Sequence, residues 1–241
     1  MPVTWYEGIV KKITQVAPEV REFHLEIPGL STFDFKAGQF ITFDLPIGEK
    51  RLLRWRSYSI ANPPNGSNIL ELCIVRSEDG PGSHYLFDEI KEGAVLKFKG
   101  PDGGFLLPEI IDKDLVFICT GTGIAPFRSM ILDINNSGKA HKGIHLIFGT
   151  RYENGLLYRS EMEELEKTMP GFRYEFALSR EEDWTGYKGH VHQIYMGQYQ
   201  NPRPDVAFYI CGWSNMIDEA VENLLLKLGY ERNQIFFELY G

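Results

Sequence analysis

The stretch Leu115-Val116-Phe117-Ile118-Cys119-Thr120-Gly121-Thr122-Gly123-Ile124-Ala125-Pro126 decides how this chain is divided. It begins as an unbroken apolar run, the texture of a strand buried on both faces of a parallel sheet. It passes through Gly121-Thr122-Gly123 into residues that read as the start of a helix. Glycines let a backbone approach a pyrophosphate closely, and a helix N-terminus turns free N–H groups and partial positive charge toward it. Pro126 holds the place of the third glycine of the G-x-G-x-x-G fingerprint. On the residues alone, an ordinary strand-to-helix turn therefore competes with a dinucleotide loop.

Downstream, similar apolar runs occupy residues 144–148, 206–211 and 235–237, and residues 173–178 supply another strand. Helix patterns lie between them. Ser160-Glu161-Met162-Glu163 reads as a capping box opening a helix that stops at Pro170-Gly171. Ile217, Val221, Leu224, Leu225 and Leu228 form an apolar stripe on a helix ended by Gly229. Such alternation predicts a doubly wound parallel-sheet α/β domain over residues 111–241.

Upstream the texture differs. Residues 20–27 alternate with period two, and residues 39–45, 55–60, 69–75 and 95–99 read as further short strands. Gly and Pro clusters punctuate them, notably Pro63-Pro64-Asn65-Gly66 and Gly100-Pro101-Asp102-Gly103-Gly104. This pattern predicts an antiparallel β-barrel domain over residues 1–110.

Composition narrows the function classes. The chain has 241 residues, enough for two modest domains, and 43% of them are apolar, so a sizeable core can form. A net charge of −8 argues against nucleic acid as a partner; Arg51, Arg54 and Arg56 make the one basic cluster. Met1-Pro2-Val3-Thr4-Trp5-Tyr6-Glu7 has no leader pattern and no apolar run reaches a membrane span, so no membrane insertion is expected. Cys73, Cys119 and Cys211 are widely separated and odd in number, which predicts a reducing cytoplasmic setting and no disulfide framework. They are also too few for a four-cysteine iron–sulfur cluster, and no His/Cys grouping has zinc spacing, so no metal site is expected.

Three further motifs carry chemistry. In Arg56-Ser57-Tyr58-Ser59, strand alternation sends Arg56 and Tyr58 to one face and Ser57 and Ser59 to the other. A cation, an aromatic plate and small hydroxyls then lie close together, which suits an anionic, planar ligand such as a flavin nucleotide. A plain strand with a surface arginine is the alternative. Gly80-Pro81-Gly82-Ser83 offers backbone N–H groups to a phosphate, with the Ser83 hydroxyl free to cap a helix or bind an oxygen; a simple turn explains it equally. Cys211-Gly212-Trp213-Ser214-Asn215-Met216 closes a buried strand at its carboxyl end, where open α/β sheets bind ligands, although core cysteines are common.

Taken in order, these motifs resemble those of the ferredoxin–NADP⁺ reductase-like flavoproteins, over nearly the whole chain. The resemblance implies that Arg56 binds a flavin pyrophosphate, Tyr58 packs on the isoalloxazine and Ser59 hydrogen-bonds near N5. Gly80, Gly82 and Ser83 are similar to a pyrophosphate motif that favours FAD over FMN. Gly121, Thr122, Gly123 and Pro126 match the nicotinamide-dinucleotide loop, and Cys211 with Gly212 and Met216 matches the segment bordering the nicotinamide. Trp213-Ser214 departs from the family, many of whose members carry a proline there. Phe237-Glu238-Leu239-Tyr240-Gly241 resembles the plant-type ending, which implies a positioning role for Glu238 and a flavin-covering one for Tyr240; a last sheet strand is the alternative. Ser179-Arg180 resembles a 2′-phosphate grip, to which Arg151 and Lys188 would add charge, while Glu181, Glu182 and Asp183 oppose it or form a solvated turn. NADP(H) is favoured, with NAD(H) as the alternative.

The function so implied is that of an FAD-dependent NAD(P)H oxidoreductase, in which hydride passes from nicotinamide to flavin and electrons leave to a separate carrier. Ferredoxin or flavodoxin is the first expectation for that carrier. A reductase component serving an oxygenase or cytochrome is the alternative. A flavin-binding regulatory or electron-relay subunit without turnover is the rival of another class, and the Gly121 to Pro126 loop with Cys211 argues against it.

Overall fold

The computed structural model describes residues 4–239. The chain forms two compact units, one of residues up to 107 together with 125–133, the other of residues 108–124 and those from 134 onward.

The first unit is an antiparallel six-stranded sheet of β1 (Trp5–Ala17), β2 (Val20–Glu26), β3 (Phe40–Asp44), β4 (Trp55–Ser59), β5 (Ile69–Val75) and β6 (Val95–Asp102). Their order is β4-β3-β6-β1-β2-β5. A bridge between Ile60 and Leu72, with Ala61 N–H donating to Glu71 O over 2.8 Å, joins the chain leaving β4 to β5. The two edges of the sheet thus meet and it curls as a barrel. Period-two residues fill the inside: Phe23, Leu25, Ile41, Phe43, Leu70, Leu72, Leu96 and Phe98 share one buried cluster. The 13-residue β1 shows no such clean alternation, because its pairing with β2 shifts register at Val10/Lys12 and again at Gln15/Ala17. Each shift turns the following side chains to the other face. Two short helices, α1 (Arg51–Arg54) and α2 (Pro81–Asp88), flank the strands.

Buried polar groups fix the chain where it leaves β4. Asn62, 2% exposed, accepts Glu71 N–H at 2.8 Å and donates to Ile69 O at 3.1 Å. Ser129 Oγ donates to Asn62 O at 2.7 Å, while Arg128 reaches Ala61 O at 3.1 Å and the Glu71 carboxylate at 2.6 Å. Partners at this depth are worth more than surface ones, since losing one would strand a buried polar group.

The second unit is a parallel six-stranded sheet of β7 (Asp114–Thr120), β8 (Ile144–Thr150), β9 (Phe172–Leu178), β10 (Tyr187–Lys188), β11 (Val206–Gly212) and β12 (Ile235–Leu239), in the order β10-β9-β8-β7-β11-β12. Chain order steps outward from β7 to β10 in one direction, then restarts with β11 on the other side of β7. The strand order therefore reverses between β7 and β11. Helices α3 (Ile124–Ser137), α4 (Arg159–Thr168), α5 (His192–Gln198) and α6 (Ser214–Glu222) alternate with the strands. Val116, Ile118, Ile147, Phe208 and Ile210 are buried in this sheet, as their apolar runs predict.

Three local expectations are corrected. The run at residues 235–237 is not buried on both faces: Phe236 and Phe237 are 41% and 37% exposed, because β12 is an edge strand paired only with β11. Ser160 does not cap α4. The helix begins two residues earlier than that capping box requires, after Tyr158 in the left-handed region at φ 56°, and Arg159 ties its first turn to Glu163 at 2.6 Å and Glu153 at 2.5 Å. The Ser83 hydroxyl does not cap α2 either, because Gly80 occupies the cap position and Pro81 follows it. The stripe from Ile217 to Leu228 runs through α6 into a π-helical turn, Asn223–Lys227, and ends before Gly229 at φ 76°.

Candidate functional site

In the first unit, β4 presents Arg56, Ser57, Tyr58 and Ser59 opposite Phe43, Thr42, Ile41 and Phe40 of β3. Ser57 and Thr42 share a hydrogen bond of 2.9 Å between hydroxyls, which pins the register at this point. Tyr58 is half-buried, its ring 5.8 Å from that of Phe43, and burial pushes its phenol up to about 12 against the opposing Arg56 charge. Ser59 is 4% exposed. The Arg56 guanidinium donates to the carbonyls of Leu52 at 3.1 Å and Trp55 at 2.7 Å, and among the described residues it has no carboxylate partner.

The glycine turn before α2 meets this strand directly. A Cβ at Gly82 would lie 2.7 Å from Arg56 Cγ and 3.1 Å from its Cδ and Nε. The missing side chain is thus the space through which the arginine stem passes. Ser83 Oγ accepts Ser77 N–H at 3.0 Å and donates to Gly80 O at 2.9 Å, holding the turn shut beneath the helix start. A cation not committed to a carboxylate beside a glycine turn and a half-buried aromatic face suits a ligand with a diphosphate and a flat ring. The arginine, the glycine turn that makes room for its stem, and the aromatic face together fit FAD.

In the second unit, Gly121 stands at φ 53° in a single 3₁₀ turn that leads from β7 into α3; Pro126 is in the first turn of α3, within residues 125–133 of the first unit. A Cβ at Gly123 would fall 2.4 Å from Cys211 O and 2.8 Å from Gly212 Cα. Gly212 is at φ 146°, where a Cβ would strike Thr120 Oγ1 at 2.4 Å. Backbone thus packs on backbone where β7 and β11 end, an arrangement only glycines permit. Thr122 is buried, and Trp213 donates its N–H to Thr120 Oγ1 at 3.4 Å while its indole stands 61% exposed. Thr120 contributes to this junction although its own residue type gave no signal; its place as the last residue before Gly121 is the one available clue. The crevice lies where the strand order reverses, the position at which open α/β sheets take nucleotides. The closely apposed backbone there fits a dinucleotide.

Cys211 is fully buried, in register with Cys119 of β7 and Glu238 of β12. Burial, reinforced by Cys211, pushes the Cys119 thiol well up, so it is a core group and not a reactive thiolate. Glu238 is half-buried at the level of Cys211. Tyr240 lies outside the described residues.

The ends of β8 and β9 bring the remaining predicted residues together. Ser179 N–H donates to Thr150 O at 3.0 Å and Arg180 N–H to Arg151 O at 2.8 Å. Arg151 and Arg180 are exposed, and among the described residues neither has an ion-pair partner. Glu181 is directed elsewhere, accepting Glu153 N–H at 3.1 Å, and Lys188 donates to Glu182 O at 2.7 Å.

Two known families match parts of the chain. Residues 7–106 match the family described as an oxidoreductase FAD-binding domain, and residues 117–222 match an oxidoreductase NAD-binding domain. The chain is 34% identical to ferredoxin–NADP reductase B of Sorangium cellulosum, covering 98% of this chain and 97% of that protein. It is 33% identical to the phenol hydroxylase P5 protein of Acinetobacter pittii, covering 95% of this chain and 64% of that longer protein. Among solved structures, a ferredoxin NADP+ reductase from Neisseria gonorrhoeae with bound FAD and NADP superposes with a TM-score of 0.81 at 26% identity, covering 99% of each chain.

Proposed function

We infer the function from one premise: this chain belongs to the ferredoxin–NADP⁺ reductase-like family of FAD- and NAD(P)-binding oxidoreductases. When bound, the two cofactors supply hydride transfer from nicotinamide to flavin and onward release of electrons. The residues of the chain bind and orient them. Arg56, with the N–H groups about Gly80, Gly82 and Ser83, holds the FAD diphosphate, Tyr58 lies against the flavin ring, and Ser59 donates toward N5. Gly121, Thr122, Gly123 and the first turn carrying Pro126 receive the coenzyme diphosphate. Cys211 and Gly212 border the nicotinamide, and Glu238 positions it. Tyr240, by resemblance alone, covers the flavin. Orientation is the main lever, since these cofactors react only when the two rings are stacked in register.

The observation that carries this reading is the glycine junction of Gly123 with Cys211 and Gly212, set at the strand-order reversal. It puts the loop that would receive a diphosphate beside the cysteine that would border the nicotinamide. For the coenzyme, the exposed guanidiniums of Arg151 and Arg180, without an ion-pair partner among the described residues, favour the 2′-phosphate of NADP(H), because an arginine fork fits a phosphate.

The electron acceptor is a separate ferredoxin or flavodoxin in a reducing cytoplasm, a setting supported by the buried Cys73, Cys119 and Cys211, none of which is in a disulfide among the described residues. A second reading, a reductase serving an oxygenase, is favoured by the likeness to the phenol hydroxylase P5 protein. Purified chain loaded with FAD should reduce ferricyanide with NADPH, and should reduce ferredoxin or flavodoxin faster than an oxygenase component. Failure with both NADPH and NADH would remove the reductase reading. Turnover confined to an oxygenase partner would select the second.

A further inference from the structure

A side-chain cluster shared by α5 and α6 has the chemistry of a metal site. His190 precedes α5, His192 is its first residue, and Glu219 projects from α6. One potential ligand atom from each of the three lies within 4.8 Å of the others, and His192 Nε2 is already 3.0 Å from Glu219 Oε2. We propose that His190, His192 and Glu219 bind a divalent cation of the zinc type, clamping α5 to α6.

The ligand set selects the ion. Two imidazoles and one carboxylate suit Zn²⁺ and neighbouring transition metals, whereas Mg²⁺ and Ca²⁺ require mostly oxygen. Bonds of ~2.0–2.1 Å to a tetrahedral ion place its ligand atoms roughly 3.4 Å apart. His192 and Glu219 already stand near that spacing. His190 and Glu219 are exposed and free to rotate inward, while His192 is 8% exposed and supplies the fixed corner. Three protein ligands leave one position for water.

A buried relay behind His192 is equipped for the change of tautomer that binding demands. His192 Nδ1 lies 2.7 Å from Tyr195 Oη, which accepts Asn223 Nδ2–H at 2.9 Å. In that arrangement the hydroxyl proton goes to Nδ1, and Nε2–H points at Glu219. Metal binding through Nε2 requires the proton on Nδ1 instead, donated to the hydroxyl oxygen. Asn223 is 3% exposed and its Oδ1 has no hydrogen-bond partner among the described residues. With the amide turned over, that Oδ1 accepts the Tyr195 O–H and releases the hydroxyl oxygen to accept Nδ1–H. The cluster is invisible in sequence spacing because its carboxylate comes from another helix.

The test uses untagged, FAD-loaded protein freed of metal. Calorimetric titration with ZnCl₂ and thermal unfolding with ZnCl₂, MgCl₂ or CaCl₂ should show one saturable Zn²⁺ site and a rise in Tm with Zn²⁺ alone. The exposed-ligand variants His190→Asn and Glu219→Gln should each weaken Zn²⁺ binding by at least roughly tenfold and abolish the rise. Absence of a Zn²⁺ site overturns the proposal. Equal stabilisation by Mg²⁺, or Zn²⁺ binding unchanged in both variants, also overturns it.

Discussion

Gly82 and Arg56 occupy one space: a Cβ on the glycine would lie 2.7 Å from Cγ of the arginine. The colliding atom is on the near part of the stem, so it cannot swing clear without carrying the guanidinium away. Gly82→Ala should therefore displace the charge proposed to hold the FAD diphosphate. Titration of apoprotein with FAD, followed by quenching of flavin fluorescence, should show affinity lowered by about tenfold or more, equivalent to the ~1–3 kcal/mol typical of overpacking. Arg56→Ala should do the same without disturbing the turn. Wild-type FAD affinity in both variants would detach this pair from the flavin.

At the other cradle the colliding atoms are backbone. Gly123→Ala would set a Cβ 2.4 Å from Cys211 O and 2.8 Å from Gly212 Cα, neither of which can rotate away. The end of β7 and the end of β11 must separate. We expect a lower Tm, reflecting ~1–3 kcal/mol of strain, and a raised KM for the coenzyme with FAD content retained. A variant that instead loses FAD while keeping the KM would assign the junction to the wrong cofactor.

These two contacts also show where sequence reading succeeds and where it stops. Local pattern carried most strands, because β7, β8 and β11 are continuous apolar runs buried almost from end to end. It lost β1, whose bulges reverse the alternation partway, and it overburied β12, whose apolar run gives no hint that it sits at an edge. The glycine motifs could be seen, but what each glycine makes room for could not. Gly82 meets Arg56, and Gly123 meets Cys211, only after the chain has folded. The anchoring of Asn62 by Ser129, and of Glu71 by Arg128, is equally long-range and has no local signature.

Arg151 and Arg180 are joined by the hydrogen bond from Arg180 N–H to Arg151 O, yet both side chains are exposed, with no ion-pair partner among the described residues. If they receive a 2′-phosphate, Arg180→Ala should lower kcat/KM for NADPH by roughly tenfold to a hundredfold, the worth of a charge-assisted hydrogen bond of ~1.5–3 kcal/mol. The value for NADH should not change. Steady-state kinetics with both coenzymes decides the matter, and equal losses for the two would show that these arginines do not read the phosphate.

His145 makes stability depend on pH. It is 4% exposed on β8; its Nδ1 lies 2.7 Å from Arg173 Nη2 and 2.9 Å from Tyr199 Oη, and its Nε2 lies 2.8 Å from Glu175. A guanidinium can donate only to an unprotonated nitrogen, so Nδ1 keeps its lone pair and the ring stays neutral. Burial first, and the Arg173 charge second, lower its pKa to about 3. The unfolded chain protonates this histidine near its ordinary value of about 6.5, whereas the folded chain resists. Its contribution is therefore fully present above pH ~6.5 and is lost as the pH falls from there toward the folded value, with a slope of up to about 1.4 kcal/mol per pH unit. Urea unfolding at a series of pH values should show this acid-side decline, and His145→Gln, which cannot titrate, should flatten it. An equally steep decline in the variant would transfer the effect to the carboxylates.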